Sequence, residues 1–574
     1  MTVADTVLIN GKVATVDRHF RFTRAIAVKN GWIINVGEDE EIKTHIGPDT
    51  QIIDLQGKLI LPAAHDAHVH ISWLAASWKC VNCSTARTLE SLLALLRERA
   101  ATTPPGQWIH ACGFNPAIID SRRPLTRHDI DSATPNHPAF LALWDGHSCL
   151  VNSNALEIVG ITRETQDPIG GYIGKTPDGE PDGNFLDIPA LQLITQAMPR
   201  PTVEELKENI IAAQRFMNRE GYASYTEGAM GPGETGAAGV SGIAAYRQLL
   251  EEKKLTARVS IAFYAADKGV QSYEILKHTL DASGLPEFPD KNWLDCHSVK
   301  IFCDGVPMSH TAWMNQDYAD RPGWAGRSVF CGPMASEEEQ IQEFHKMALL
   351  AHQRGYQLAV HAVGDKAVKV TIDGFINAIQ TCPGPQRRHY VLHGSMGDRE
   401  DFVKAAKYGI ILSEQPSPGG SAYDYERRAQ VCGIKGEIGK GLKDIIDLGV
   451  TVAGGSDGIM DLVNWRQMVQ AAVTRKSASS GKIIRPELAI SVADGVRMYT
   501  INAAYQEFQE QVRGSIEVGK VADFQVLDRD IFSVPHEDIG NSQVLLTMVD
   551  GNIVWQCQEQ VLQINLPAAL TLPG

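Results

Sequence analysis

The chain has 574 residues, 44% of them hydrophobic, which is enough for one large core with additions or for several domains. Asp and Glu (68) outnumber Lys and Arg (53), and the net charge of −15 makes nucleic acid and anionic membrane surfaces unexpected partners. The opening segment MTVADTVLINGKVATVDRHF lacks the basic stretch and apolar run of a signal peptide, and no later stretch is apolar enough to span a bilayer, so a cytoplasmic protein acting on a small molecule is expected, with self-association into a homodimer or higher homo-oligomer allowed.

Residues 1–61 contain short β-type runs (TVLINGKVATV, AIAVKNGWIINVG, TQIIDLQGKLILP) broken by Gly, Asn and Asp, a hairpin texture. Residues 510–574 repeat it in GSIEVGKVADFQVLD and QVLLTMVDGNIVWQ. The two ends are therefore expected to build one small β-sandwich, with a central domain, residues 62–509, between them.

That central part holds eight short apolar runs, most followed by a helical pattern: LILPAAHDAHVH, YASYTEG, RVSIAFYA, HSVKIFCDG, QLAVHAVGD, HYVLHGS, GIILSEQPS and TVAGGSDG. Near-continuous apolar strands alternating with helices signal a parallel sheet buried on both faces, and eight of them an α/β chain folded as a (β/α)8, or TIM, barrel. The gap between the first and second runs is far longer than the rest, so residues 71–215 are read as an inserted subdomain leaving the C-terminal end of the first strand, over the barrel mouth. Within it, Cys80 and Cys83 form a C-x-x-C that has no second pair. Buried structural thiols are expected there in preference to half a zinc site or a redox pair.

The candidate metal ligands stand at the ends of these runs. His68 and His70 are two apart, so on an extended strand both imidazoles face the same side and reach one metal. His361, His393 and Asp457 close the fifth, sixth and eighth runs. A single strand histidine is more often a hydrogen-bonded core residue. Five such groups at successive strand ends instead form the nitrogen and oxygen donor set of zinc or a first-row neighbour. Lys300, in the fourth run, cannot bind a cation as an ammonium; either it pairs with a carboxylate such as Asp304, or carbon dioxide converts it to a carbamate able to bridge two metals. Trp73, Phe302, Met308 and Trp313, together with Trp144 and Met460, are available as apolar substrate-pocket walls, and each is equally plausible as core.

The segments LPAAHDAHVH, WDGHSCLVNSNALE, DGEPDGNFLD, VKIFCDG, VHAVGDKA, GIILSEQPS, AGGSDG, YTINAAY and GSIEVGKVADFQVLDRD give the chain, nearly end to end, a resemblance to the amidohydrolase superfamily, within it to the amidohydrolase-3 group that includes YtcJ-like proteins and N-substituted formamide deformylases. The resemblance implies that His68, His70 and Asp457 bind one divalent metal, that His361 and His393 bind a second, and that a carboxylated Lys300 bridges them; one metal or two remains open. It further implies that His147 in WDGHSCLVN approaches the substrate, although a structural role in its loop is as plausible. Asp457 then serves as the general acid and base for hydrolysis of a C–N bond in an amide, N-acyl, N-formyl or cyclic amide compound. Hydrolysis of an ester, lactone or phosphoester on the same site, and a non-catalytic regulatory or binding protein that kept the barrel, are the alternatives. His65, the Pro307-Met308-Ser309-His310 run, Leu392 and the segment GFNPAII depart from the group's pattern without removing a ligand.

Overall fold

A computed structural model describes residues 2–116, 118–120, 123–233, 239–332, 335–417, 425–439, 441–458, 463–558 and 562–565. Its centre is a (β/α)8 barrel of eight parallel strands: β1 (Ala64–Val69), β2 (Tyr222–Met230), β3 (Arg258–Tyr264), β4 (Leu294–Phe302), β5 (Gln357–His361), β6 (Tyr390–Leu392), β7 (Ile411–Glu414) and β8 (Val452–Gly454), neighbours in that order. The chain just past β8 closes the ring: the Asp457 N–H donates to the His68 carbonyl at 2.8 Å, and the Ser456 N–H donates to Asp66 Oδ1 at 2.9 Å. Strands such as β2 and β3 are buried at every position because helices cover their outer faces and packed side chains fill the inside.

Helices follow the strands where the sequence supplies starts. Thr202 and Glu205 form a capping box opening Val203–Arg219, and Ser336 and Glu339 another opening Glu337–Gln353, whose first turn also carries Glu337 and Glu338 at the positive end of the helix dipole. Residue 215 falls inside the Val203–Arg219 helix, which leads directly into β2. Between β1 and that helix, a separate six-stranded sheet forms, in the order Tyr172–Lys175, Pro181–Leu186, Ser148–Val151, Ala139–Leu143, Ile109–Phe114 and Val81–Asn82.

Two further sheets mix the chain ends. Phe524–Leu527 runs antiparallel to Leu59–Pro62 in one, and Gln563–Asn565 antiparallel to Gln51–Asp54 in the other. Their facing apolar side chains, among them Leu8, Ile26, Ile53, Ile60, Phe524 and Leu546, form a core of their own. Barrel and sandwich meet at Arg258, the first residue of β3. Its guanidinium is fully buried and donates to Asp523 Oδ2 at 2.9 Å and to Asp550 Oδ1 at 3.1 Å. Removing one partner of such a buried pair strands the other charge, so Arg258→Met is expected to cost about 3–5 kcal/mol in the first urea transition. A loss below about 1 kcal/mol would show that water or another cation already compensates the two carboxylates. Among the described residues, no helix is long and apolar enough to cross a membrane.

Candidate metal centre

The C-terminal ends of the strands converge on one small cavity of about 50 Å³, walled by His68, His70, Lys300, His361, His393 and Asp457 from the barrel and by Asp145 and His147 from the insertion. β1 slips register against β2 between Asp66 and Val69, and His68 lies in that irregular stretch with His70 just beyond the strand. Their ring centroids are 5.0 Å apart, and the His70 and His68 Nε2 atoms lie 3.3 and 3.4 Å from Asp457 Oδ1. The ligand atoms of these three residues all fall within 4.8 Å of one another, the only such group of three or more among the described residues. His361, the last residue of β5, packs its ring 4.7 Å from that of His393, which in turn is 5.4 Å from the His68 ring. Lys300 projects from β4 into the same space.

The backbone bends to make this convergence. His393 and Asp457 hold φ at +66° and +54°, the left-handed region that side chains other than Gly enter at a cost, and such outliers gather at functional sites. On the opposite wall Gly228 makes room: a Cβ there would sit 2.4 Å from His68 Cε1 and 2.9 Å from His70 Cε1.

The electrostatics suit cation binding. Burial, reinforced by the neighbouring Lys300, pushes His68 well below the usual imidazole range. His361 is likewise pushed well below it, and His393 falls to about 4, burial again being the main cause. All three are therefore neutral, as ligands must be. Burial alone would raise the Asp457 carboxyl, but His393, the hydrogen bond from His70 and His68 together hold it well below the usual carboxylate range. Burial pulls Lys300 down to about 7, and its Nζ has no hydrogen-bond partner; it sits 4.4 Å from the Phe302 ring centroid. An orphaned amine whose titration burial has brought near neutrality, among neutral imidazoles and an ionised carboxylate, is a donor set that fits a divalent cation better than it fits a closed protein core.

The remaining predicted residues separate into two groups. Trp73 and Phe302 line the cavity. Met308 and Trp313 do not: the turn Pro307–Ser309 carries Met308 into a cluster with Ala312, Met314 and Tyr318, and Trp313 lies in the main core under Lys366. Trp144 is absent from the cavity wall as well, and Met460 lies outside the described residues. His147 stands 3.3 Å from Asp187 Oδ1, its ring 4.9 Å from that of His361. Burial opposes its protonation, but the Asp187 hydrogen bond and nearby carboxylates outweigh burial and raise it. Lys300 pairs with no carboxylate at salt-bridge distance among the described residues. Asp304 is occupied instead by the N–H groups of Trp313, Val363 and Gly364, at 2.8 to 3.0 Å, which fix the loop after His361. His65 turns into the barrel wall, bonded to Ser224 and Thr226.

Several supporting residues carried little or no signal in the sequence. Asp66 holds the β8 loop against β1 through Ser456. Glu227, buried at the end of β2 beside His70, accepts from Ser72 Oγ at 2.9 Å and from Tyr246 at 2.8 Å, and Gln415 bonds His393 Nδ1. Alternation at the end of the YASYTEG run offered a hint for Glu227; Asp66 and Gln415 depend on pairings that no local pattern reveals. The C-x-x-C splits. Burial raises the Cys83 thiol to about 12, whereas Cys80 stands in a cavity wall, its thiol lowered by hydrogen bonds with Cys112 and His110 and by the Arg99 charge. The expectation of two buried structural thiols is thus corrected for Cys80, because parallel pairing of Val81–Asn82 with Ile109–Phe114 brings Cys112 beside it.

An eight-stranded barrel with imidazoles, a carboxylate and a lysine at its C-terminal mouth defines a class of metal-binding barrel proteins. The sequence model of the Amidohydrolase family matches residues 51–555, and the chain belongs to that family. It is 28% identical to the putative amidohydrolase YtcJ of Bacillus subtilis (strain 168), over 93% of this chain and 96% of that one. It is 27% identical to the N-substituted formamide deformylase of Arthrobacter pascens, over 95% and 97%. Among solved structures, an uncharacterized metal-dependent hydrolase from Pyrococcus horikoshii OT3 shares the fold with a TM-score of 0.69 at 23% identity, covering 92% of this chain and 99% of that one.

Proposed function

We propose that the protein is a metal-dependent hydrolase of a C–N bond in an amide, N-formyl, N-acyl or cyclic amide small molecule, with no nucleic-acid or membrane partner. The observation that carries this reading is the buried, unpartnered Lys300 amine among neutral imidazoles and beside Asp457. His68, His70 and Asp457 would hold one divalent cation, zinc being the ion best suited to imidazole and carboxylate donors, and His361 and His393 a second. When bound, such a cation supplies Lewis acidity, lowering the pKa of a water molecule and polarising a carbonyl. Lys300 would bridge as a carbamate. In that step the neutral amine attacks carbon dioxide, an N–C bond forms, one C=O bond becomes C–O⁻, and the displaced amine proton leaves to solvent. Burial provides the neutral amine that the step requires.

Asp457 takes the proton of the attacking water and returns it to the departing nitrogen. His147, whose charged form Asp187 favours against burial, donates a hydrogen bond towards the oxygen on which negative charge develops. The relative named as a formamide deformylase supports C–N cleavage, and the small cavity supports a short acyl group on the scissile carbonyl. The test is a panel of N-formyl and N-acyl amines, with esters and lactones alongside, incubated with zinc-loaded protein. Release of formate or another acid from the amides is the expected result, and turnover of esters alone would refute C–N specificity. In parallel, His68→Ala is expected to lower bound metal, read by elemental analysis after dialysis; unchanged stoichiometry would make the histidine pair structural.

A further inference from the structure

A second cavity adjoins the metal centre. It measures about 510 Å³, within the range of small-molecule sites, and it shares Trp73, Gly146 and Ile188 as walls with the smaller one. Beyond those shared residues its sides are largely apolar, with Trp108, Phe140, Leu143 and Leu191 prominent. Its polar part has a definite sign. Lys79, Arg99 and Arg200 line it, and among the described residues none of the three has a carboxylate at salt-bridge distance. Arg99 is half-buried and donates to a neutral acceptor, the Lys79 carbonyl, at 3.1 Å, while Lys79 and Arg200 are exposed at the rim. The one acid in the wall, Glu205, spends its carboxylate capping a helix, accepting from the Thr202 N–H at 2.8 Å and the Thr202 hydroxyl at 2.9 Å.

We infer that the substrate is an amide whose amine side carries an apolar, flat body ending in a carboxylate, the body filling the larger cavity past Trp73 and the carboxylate meeting Arg99 and the rim cations. This rests on the C–N hydrolase reading for which side of the amide faces which cavity. The size difference between the cavities assigns the short acyl group to the metal side. The cations assign the charge, because a guanidinium pairs with a carboxylate through two parallel hydrogen bonds and two of the three cations are arginines.

The test uses 4-(2-formamidoethyl)benzoate and its neutral counterpart, in which an acetyl group replaces the carboxylate, with the zinc-loaded full-length protein. Calorimetry is expected to show the benzoate binding at least tenfold tighter than the neutral compound, by a margin that shrinks with added salt. Arg99→Met is expected to remove most of that margin while leaving the neutral compound's Kd within twofold, and Arg99→Lys to restore part of it. Equal binding of the two compounds, no binding of either, or a margin that survives Arg99→Met would overturn the inference. Formate release is followed separately. Arg99-dependent binding without formate release would support the anionic site and count against the C–N reading.

Discussion

Asp457→Asn is expected to lower kcat/KM by roughly 100- to 10,000-fold, the contribution of one general acid and base, while most of the bound metal stays. The amide keeps an oxygen where Asp457 Oδ1 now receives the approach of His70 and His68 at 3.3 and 3.4 Å, but it accepts no proton at neutral pH. The substitution is also clean structurally. Position 457 holds φ at +54°, and Asn tolerates that region as well as any side chain, whereas Ala would add backbone strain to the chemical change. Steady-state kinetics and elemental analysis on the same preparation separate the two effects. Activity within threefold of wild type would remove Asp457 from the proton transfers, and loss of metal in parallel with activity would make it a ligand first.

Lys300→Met is expected to reduce bound metal by at least one ion per chain and to abolish turnover, since the carbamate proposed at that position is the bridge between the two cations. The same variant carries a second, opposite effect on stability. With its folded pKa near 7, below the ordinary lysine value of 10.5, Lys300 binds its proton in the unfolded chain but not in the fold between those limits. The amine therefore costs the metal-free protein stability in full at and below pH 7, and the cost fades as pH rises towards 10.5. Replacing it with Met is expected to raise the Tm of the metal-free protein most at pH 7 and least near pH 10. A Tm difference that does not change with pH would show that Lys300 is charged in the fold, which would also deny it the neutral form needed for a carbamate.

Part of this was readable in the residues. Period-two spacing placed His68 and His70 on one side, and an apolar run ending in a histidine or aspartate marks the mouth of a barrel strand whatever the loops do. The barrel and its mixed-end sandwich followed from the same texture. Gln415 was not readable, and Glu227 only hinted at, because each acts on a histidine that only the closed barrel brings near; Asp187 meets His147 through strand pairing inside the insertion. Met308 and Trp313 show the reverse difficulty: an apolar side chain after a strand end has the same local pattern whether it faces a cavity or the core, and packing against Tyr318 or Lys366 decides it. The Cys80 thiol hydrogen-bonds with Cys112 rather than Cys83 because strand pairing across the insertion, not spacing along the chain, selects neighbours.

The pairing of Leu59–Pro62 with Phe524–Leu527 has a bearing on how the molecule is made. Ile60 and Leu61, fully buried in the finished fold, leave the ribosome more than 450 residues before the strand that covers them. Throughout elongation the segment feeding the first barrel strand is an uncovered apolar edge, of the kind that invites pairing with other chains. A message cut short between residues 457 and 524 would thus yield a chain with every candidate metal ligand present and its first strand unprotected, bound for aggregation before it met a substrate.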